Sequence, residues 1–140
     1  MTDIALTAAQ VALIDPLKAD IKSYIAYEAL TRGDAVYIKT DGTVAKADAN
    51  GSGTLQFRGI ALESVGAGAA VDVLHEGLIA GFTVSGMNAD AIAYLSNTAG
   101  KLATAAGSTS VACGRVLCMT DQPTATKVLR IFTQWEADWA

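Results

Sequence analysis

The sequence predicts an all-β domain: a sandwich or compact β-barrel built from an internally duplicated hairpin-plus-strands unit, preceded by a short N-terminal helix or arm. Three observations carry that reading. Apolar/polar alternation recurs in short runs about every ten residues, with turn residues between the runs, which is the signature of such folds. One hairpin pattern appears twice, in Gly33 to Asp48 and again in Asp90 to Thr104. Hydrophobic content is 51% but aromatic content only 6%, so the core is expected to be small and β-branched, which suits closely packed sheets.

At 140 residues the chain fits a single core. The expected organisation is an arm over 1–20, a duplicated barrel over 21–133 with copies at about 33–74 and 89–129, and a tail over 134–140. In the arm, Thr7 precedes Gln10 by three residues as a capping box, with Leu6 and Val11 as a hydrophobic staple, which predicts a helix from Ala8 to about Ile14. Pro16 disfavours helical geometry at Asp15. The pattern IKSYIAYEAL predicts a strand from Ile21 to Leu30, with Ile21, Ser23, Ile25 and Tyr27 on one face.

The first hairpin alternates through Asp34 to Lys39, turns at Asp41-Gly42 as a tight primed turn, and returns through Thr43 to Ala47. Strands are then expected at Phe57 to Val65 and Ala70 to Leu74. A turn at His75-Glu76-Gly77 separates these from a further strand, Leu78 to Val84. The second copy supplies strands through Ala91 to Leu95, Leu102, Ala112 to Met119 and Lys127 to Thr133, with a turn at Asp121 to Thr124. Asp34 and Asp90 are 56 residues apart, Gly59 and Gly114 are 55 apart, and Val73 and Val128 are 55 apart. One register with a single slip indicates duplication. Two copies cannot make an open array, but they can close on each other.

The net charge of −4 and the scattered Lys and Arg argue against a nucleic-acid surface. No run approaches the roughly 20 apolar residues of a membrane span, and a secretory layout is absent from the first residues. Cys113 and Cys118 lie on one expected strand, about 16 Å apart and on opposite faces, so they cannot pair; both read as small core-type thiols. Reactive sets are missing. His75 is the only histidine, metal sites lack ligands, and Gly51-Ser52-Gly53 and Gly66-Ala67-Gly68 do not open helices as phosphate loops do. Asp41, Asp48, Asp72 and Asp90 sit where turns want Asp. No catalytic, cofactor or metal residue is assigned, and a structural or binding role is favoured over an enzyme. A hydrolase using His75 with a carboxylate is the sharper competitor.

The series TAAQVALIDP, GDAVYIKTDGTVAKADA, FRGIALESVGAGAAVDVLHEGLIAGF, AIAYLSNTAGKLATAAG and GRVL, closing on VLRI, resembles the small capsid decoration or cement proteins of tailed bacteriophages over about residues 5 to 132. The resemblance implies a non-enzymatic β-barrel or β-tulip head protein without cofactors. It would be made in the host cytoplasm and sit on the outer capsid surface, a homotrimer at three-fold and quasi-three-fold axes that staples the major capsid protein. Another virion or tail-associated binding module, for example one recognising carbohydrate, is the alternative. Two segments are candidates for the capsid or protomer contact. Ile4, Leu6, Val11, Leu13 and Ile14 form either a foot on the capsid or a plug for the domain's own barrel. Trp135 and Trp139, in the tail QWEADWA, either fold back on the sheet or touch another protein.

Overall fold

Strand β6, Ala70–Ala80, is the longest in the molecule and joins its two halves. The structure is a computed structural model describing residues 3–14, 16–51, 53–119 and 126–133. The other strands are β1 (Ala12–Leu13), β2 (Asp20–Ile25), β3 (Ala35–Ile38), β4 (Val44–Lys46), β5 (Phe57–Ala61), β7 (Ile92–Leu95), β8 (Leu102–Ala103), β9 (Ala112–Met119) and β10 (Thr126–Ile131). The main path runs β4-β3-β5-β6-β10-β9-β7-β8, with β1 and β2 also paired to β6 and every strand pair antiparallel. Read from the β6–β10 joint outwards, the two halves have the same order, so the duplicated unit is a four-stranded module related to its copy by an approximate two-fold axis.

The ladders correct the sequence register. Gly33 and Asp90 both adopt positive φ, and their N–H groups donate to Ala61 O and Val116 O. The first hairpins are therefore 57 residues apart, and Asp90 stands where Gly33 does, not Asp34. Ala61 pairs with Val73 and Val116 with Leu129, so the last strands are 56 apart and not 55. The Gly59–Gly114 match holds: Val36 pairs with Gly59 and Ala93 with Gly114, each next to a register shift that leaves Arg58 or Cys113 as the extra residue of a bulge.

The curled sheet closes towards a barrel through its outer hairpins. Ala35 N–H donates to Gly100 O at 2.9 Å, Gly100 N–H to Ala47 O at 2.8 Å and Ala49 N–H to Ser96 O at 2.8 Å. Both halves feed one core, in which Phe57, Ile60, Leu74, Ile79, Leu95, Leu129 and Ile131 are fully buried. A second cluster, including Leu30, Val36, Val71 and Val73, covers the other face of the first module. Phe57 is the only fully buried aromatic side chain among the described residues, as the composition led one to expect.

Several local expectations fail for identifiable reasons. In place of a helix to Ile14 there is a single 3-10 turn, Ala8–Gln10, and the Thr7 side chain makes no cap. A short helix is marginal by itself, and the flanking residues are taken by strand pairing: Thr7 N–H donates to Gly81 O, Leu6 bridges Phe82, and β1 pairs with Ala80 and Ile79. Strand β2 ends at Ile25; Ala26 bridges Val44 and Leu30 bridges Val65, so the predicted strand to Leu30 bends away to cover the second core cluster. The strand from Phe57 stops at Ala61.

The Asp41-Gly42 turn is not primed. Only Gly42 has positive φ there, Gly42 N–H reaches Lys39 O, and Lys39 N–H reaches Thr43 O, which is a three-residue loop with glycine at the bulge. Hydrogen bonds from the Thr43 hydroxyl and N–H hold the Asp41 carboxyl below the usual carboxylate range. The predicted turn at His75 to Gly77 is absent, because β6 runs straight through it. The turn at Asp121 to Thr124 lies outside the described residues.

Both cysteines are on β9, as expected, and both are free, but only Cys113 belongs to the core; Cys118 is exposed. Burial pushes the Cys113 thiol well above its usual range. A thiol-reactive probe at neutral pH is therefore expected to label one equivalent quickly, at Cys118, and the second only after denaturation. Rapid labelling of two equivalents in the folded protein would contradict this packing.

Candidate functional site

Strand β2 carries the sequence DIKSYI, and only Tyr24 within it is even half-buried. Four of the large apolar side chains left in solvent fall in one short stretch: Leu17, Ile21, Ile25 and Tyr27, at 98%, 38%, 47% and 56% exposure. Alternation at the sequence level placed Ile21, Ser23 and Ile25 on one face of a strand, as β2 has them, whereas Tyr27 lies beyond the strand's end. The alternation could not reveal that this face is uncovered. Beside β2 lies an open groove of about 820 Å³, walled by Lys22, Tyr24 and Ile25 on one side and Ile38 and Gly42 on the other, with His75 at its base. Lys39 Nζ sits 4.2 Å from the Tyr27 ring centre and 5.9 Å from that of Tyr37, and Lys22 Nζ is 5.3 Å from that of Tyr24. Such cation–aromatic contacts hold these rings upright at modest energy.

His75 is 3% exposed, and its role follows from the bulge beneath it. Opposite β2 it is the extra residue, because Asp20 pairs with Glu76 and Ile21 with Leu74. Its Nδ1 contacts the Arg58 carbonyl, which belongs to the bulge residue of β5. A carbonyl can only accept, so Nδ1 carries a proton; in the neutral ring Nε2 then accepts from the Tyr24 hydroxyl at 2.7 Å. The rings of Tyr24 and His75 meet edge to face, 5.6 Å between centres. Burial, and then the negative charge of Asp20, push the Tyr24 phenol above its usual range. In the second module the matching bulge carbonyl, Cys113 O, is satisfied by Phe132 N–H instead. His75 thus performs for one copy what a backbone amide performs for the other, and its ring nitrogens face a carbonyl and a hydroxyl.

Replacing His75 by leucine removes its contacts with the Arg58 carbonyl and the Tyr24 hydroxyl and is expected to lower stability by about 2 kcal/mol, with Tyr24→Phe costing about 1 kcal/mol. Urea denaturation at neutral pH measures both; unchanged midpoints would mean that these bonds contribute nothing.

The candidate contact residues of the N-terminal segment divide clearly. Ile4 and Val11 are 4% and 3% exposed and belong to the same core cluster as both modules, with Leu6 and Leu13 packed against it. Ile14 is half-buried, and its N–H donates to Leu78 O. Asp3 bridges Ala103, Ile4 N–H donates to Leu102 O, and Asp3 accepts from the buried Ser96 hydroxyl. Of the two roles weighed for this segment, these contacts are those of the plug. Trp135 and Trp139 lie outside the described residues.

A smaller groove of about 360 Å³ is lined by Lys18, Leu78 and Leu117 and by the exposed Glu76–Arg130 ion pair, whose N···O distance is 3.1 Å. Among the described residues no group of three or more His, Cys, Asp or Glu is placed to hold a metal ion, and no helix is long and apolar enough to cross a membrane. The chain is an all-β protein with a barrel-like curled sheet. Comparison with models of known protein families and with curated protein sequences finds no match.

Proposed function

We propose that this chain is a structural virion protein, a capsid decoration protein that binds the outside of a tailed-phage head and bridges neighbouring major capsid proteins as a homotrimer. The observation that carries the reading is the duplicated module, whose hairpin, FRGIAL and GRVL segments are also the segments of the resemblance. Their copies close on each other in an all-β fold whose one histidine satisfies a backbone carbonyl.

The physical role follows from assembly. A protein that binds only the assembled shell stabilises it by its binding free energy, and three linked contacts act as one stronger one. Pairing of Asp3 and Ile4 along β8, and closure of the outer hairpins, cover the ends of the main sheet path, which suits a protein standing in solvent on a particle surface. With Ile4 and Val11 inside the barrel, the capsid contact in this proposal falls to other surfaces, with Trp135 and Trp139 as apolar anchors.

Cryo-electron microscopy of the native particle tests the reading. Trimeric protrusions at three-fold positions on the head are expected. Density on the tail, or purified protein that fails to bind mature empty heads, would overturn it.

A further inference from the structure

We infer that the outer edge of β2 is a self-pairing edge, on which two copies of this chain join antiparallel about a two-fold axis through Ser23. The backbone geometry leaves this edge open to an occupant of this kind. Ala26 N–H donates to Ala69 O, so Ala26, Tyr24 and Lys22 direct their backbone groups to β6. Ile21, Ser23 and Ile25 alternate with them and present their N–H and C=O groups outwards. The edges of β8 and β4 are covered, β8 by Asp3 and Ile4 and β4 by Tyr27, whose N–H donates to Val44 O, and the other strand paired to β6 alone, β1, is only two residues long. Among the described residues β2 keeps an uncovered edge along its whole length, beside a groove wide open to solvent. An exposed edge bearing apolar side chains is a template for another strand.

The sequence of the edge selects the second copy. Outward-facing residues must pair with outward-facing residues, so only registers that match odd positions with odd positions are allowed. Pairing about Ser23 sets Ile21 opposite the other copy's Ile25, and Lys22 opposite the other copy's Tyr24, each twice by symmetry. The segment Ile-Lys-Ser-Tyr-Ile has the same alternation of apolar ends and a cation facing an aromatic ring in both directions. Pairing about Lys22 would set like charges opposite each other. Pairing about Ile21 would leave Ile25 beyond the short overlap. The register through Ser23 covers both exposed isoleucines and extends to each Lys22 the cation–aromatic contact it already makes with its own Tyr24.

This contact is independent of the virion reading and of the three-fold association proposed with it, because a two-fold contact pairs copies whatever else they form and makes any closed assembly even-numbered. Sedimentation velocity of the full chain over a concentration series is the test, with two designed variants. The wild type is expected to show an even number of 14.4 kDa subunits, two, or six if three-fold association is also present. The Ile21→Lys/Ile25→Lys variant places lysines opposite each other twice, so its two-fold dissociation constant is expected to rise about tenfold or more, halving the count at moderate concentration. In Ile21→Lys/Ile25→Glu each lysine faces a glutamate, and the even count returns. Both positions are exposed in the single chain, so the fold tolerates either change. An odd count in the wild type, a count unaffected by the double lysine, or no rescue by the lysine–glutamate pair would each overturn the inference. Coverage of this edge by the chain's own tail would appear as the first or second of these results.

Discussion

Gly59→Ala is expected to cost about 3 kcal/mol or more, and Gly114→Ala a similar amount, although each adds a single methyl group. A Cβ at Gly59 would lie 2.3 Å from Leu74 O and 2.6 Å from the Val73 side chain; at Gly114 it would lie 2.4 Å from Arg130 O. Both obstructing atoms are backbone carbonyls of the neighbouring strand, next to the ladders Ile60–Leu74 and Arg115–Arg130. A flexible side chain can rotate away, whereas these carbonyls cannot move without opening the strand pair. Gly59 also has φ +155°, a backbone that side chains rarely adopt. Gly86→Ala is the control, since its Cβ would meet nothing within 4 Å and its backbone is ordinary. Urea midpoints close to wild type for both Gly59→Ala and Gly114→Ala would mean that the modules are not held together at these glycines.

Phe57→Ala is expected to remove about 4 kcal/mol, a large share of the stability of a domain of this kind. Phe57 is fully buried at the bulge of the first module, paired with Tyr37; in the second module Ala112 occupies the matching place, paired with Tyr94. At this pair of matching positions only the first module sends a ring into the shared core. Truncation leaves a void that the surrounding Val, Ile and Leu side chains cannot close without shifting strands. A thermal midpoint lower by about 10 °C checks it. A loss under 1 kcal/mol would place Phe57 at the rim of the core and not within it.

The two glycines and the phenylalanine also show how far the chain could be read directly. The repeat was visible because each copy needs a glycine at the same crossing of strands, and no other residue type satisfies that contact. The exact offsets were not visible. Matching Asp34 to Asp90 is sound as sequence alignment, but positive φ puts Gly33 and Asp90 in the same place, and backbone conformation carries no letter of its own. His75 reads as a turn residue because it stands before Glu76-Gly77. Its real setting depends on a bulge carbonyl at Arg58, seventeen residues away, and on Tyr24, fifty-one residues away.

What the sequence alone determined is what depends on neighbours along the chain: the all-β class from period-two alternation, the hairpins from turn residues such as Asp41-Gly42, the duplication, and the small-residue core. What only the tertiary structure decided is which side of each element is covered. The N-terminal apolar residues could have served as a foot or a plug, and they plug the barrel because unpaired edges of β6 and β8 stand beside them. The apolar face of β2 follows the same alternation as a core strand, yet it stays in solvent because, among the described residues, no element packs over it. Burial is a property of pairs of elements distant in sequence, and local pattern specifies a face without specifying what will cover it.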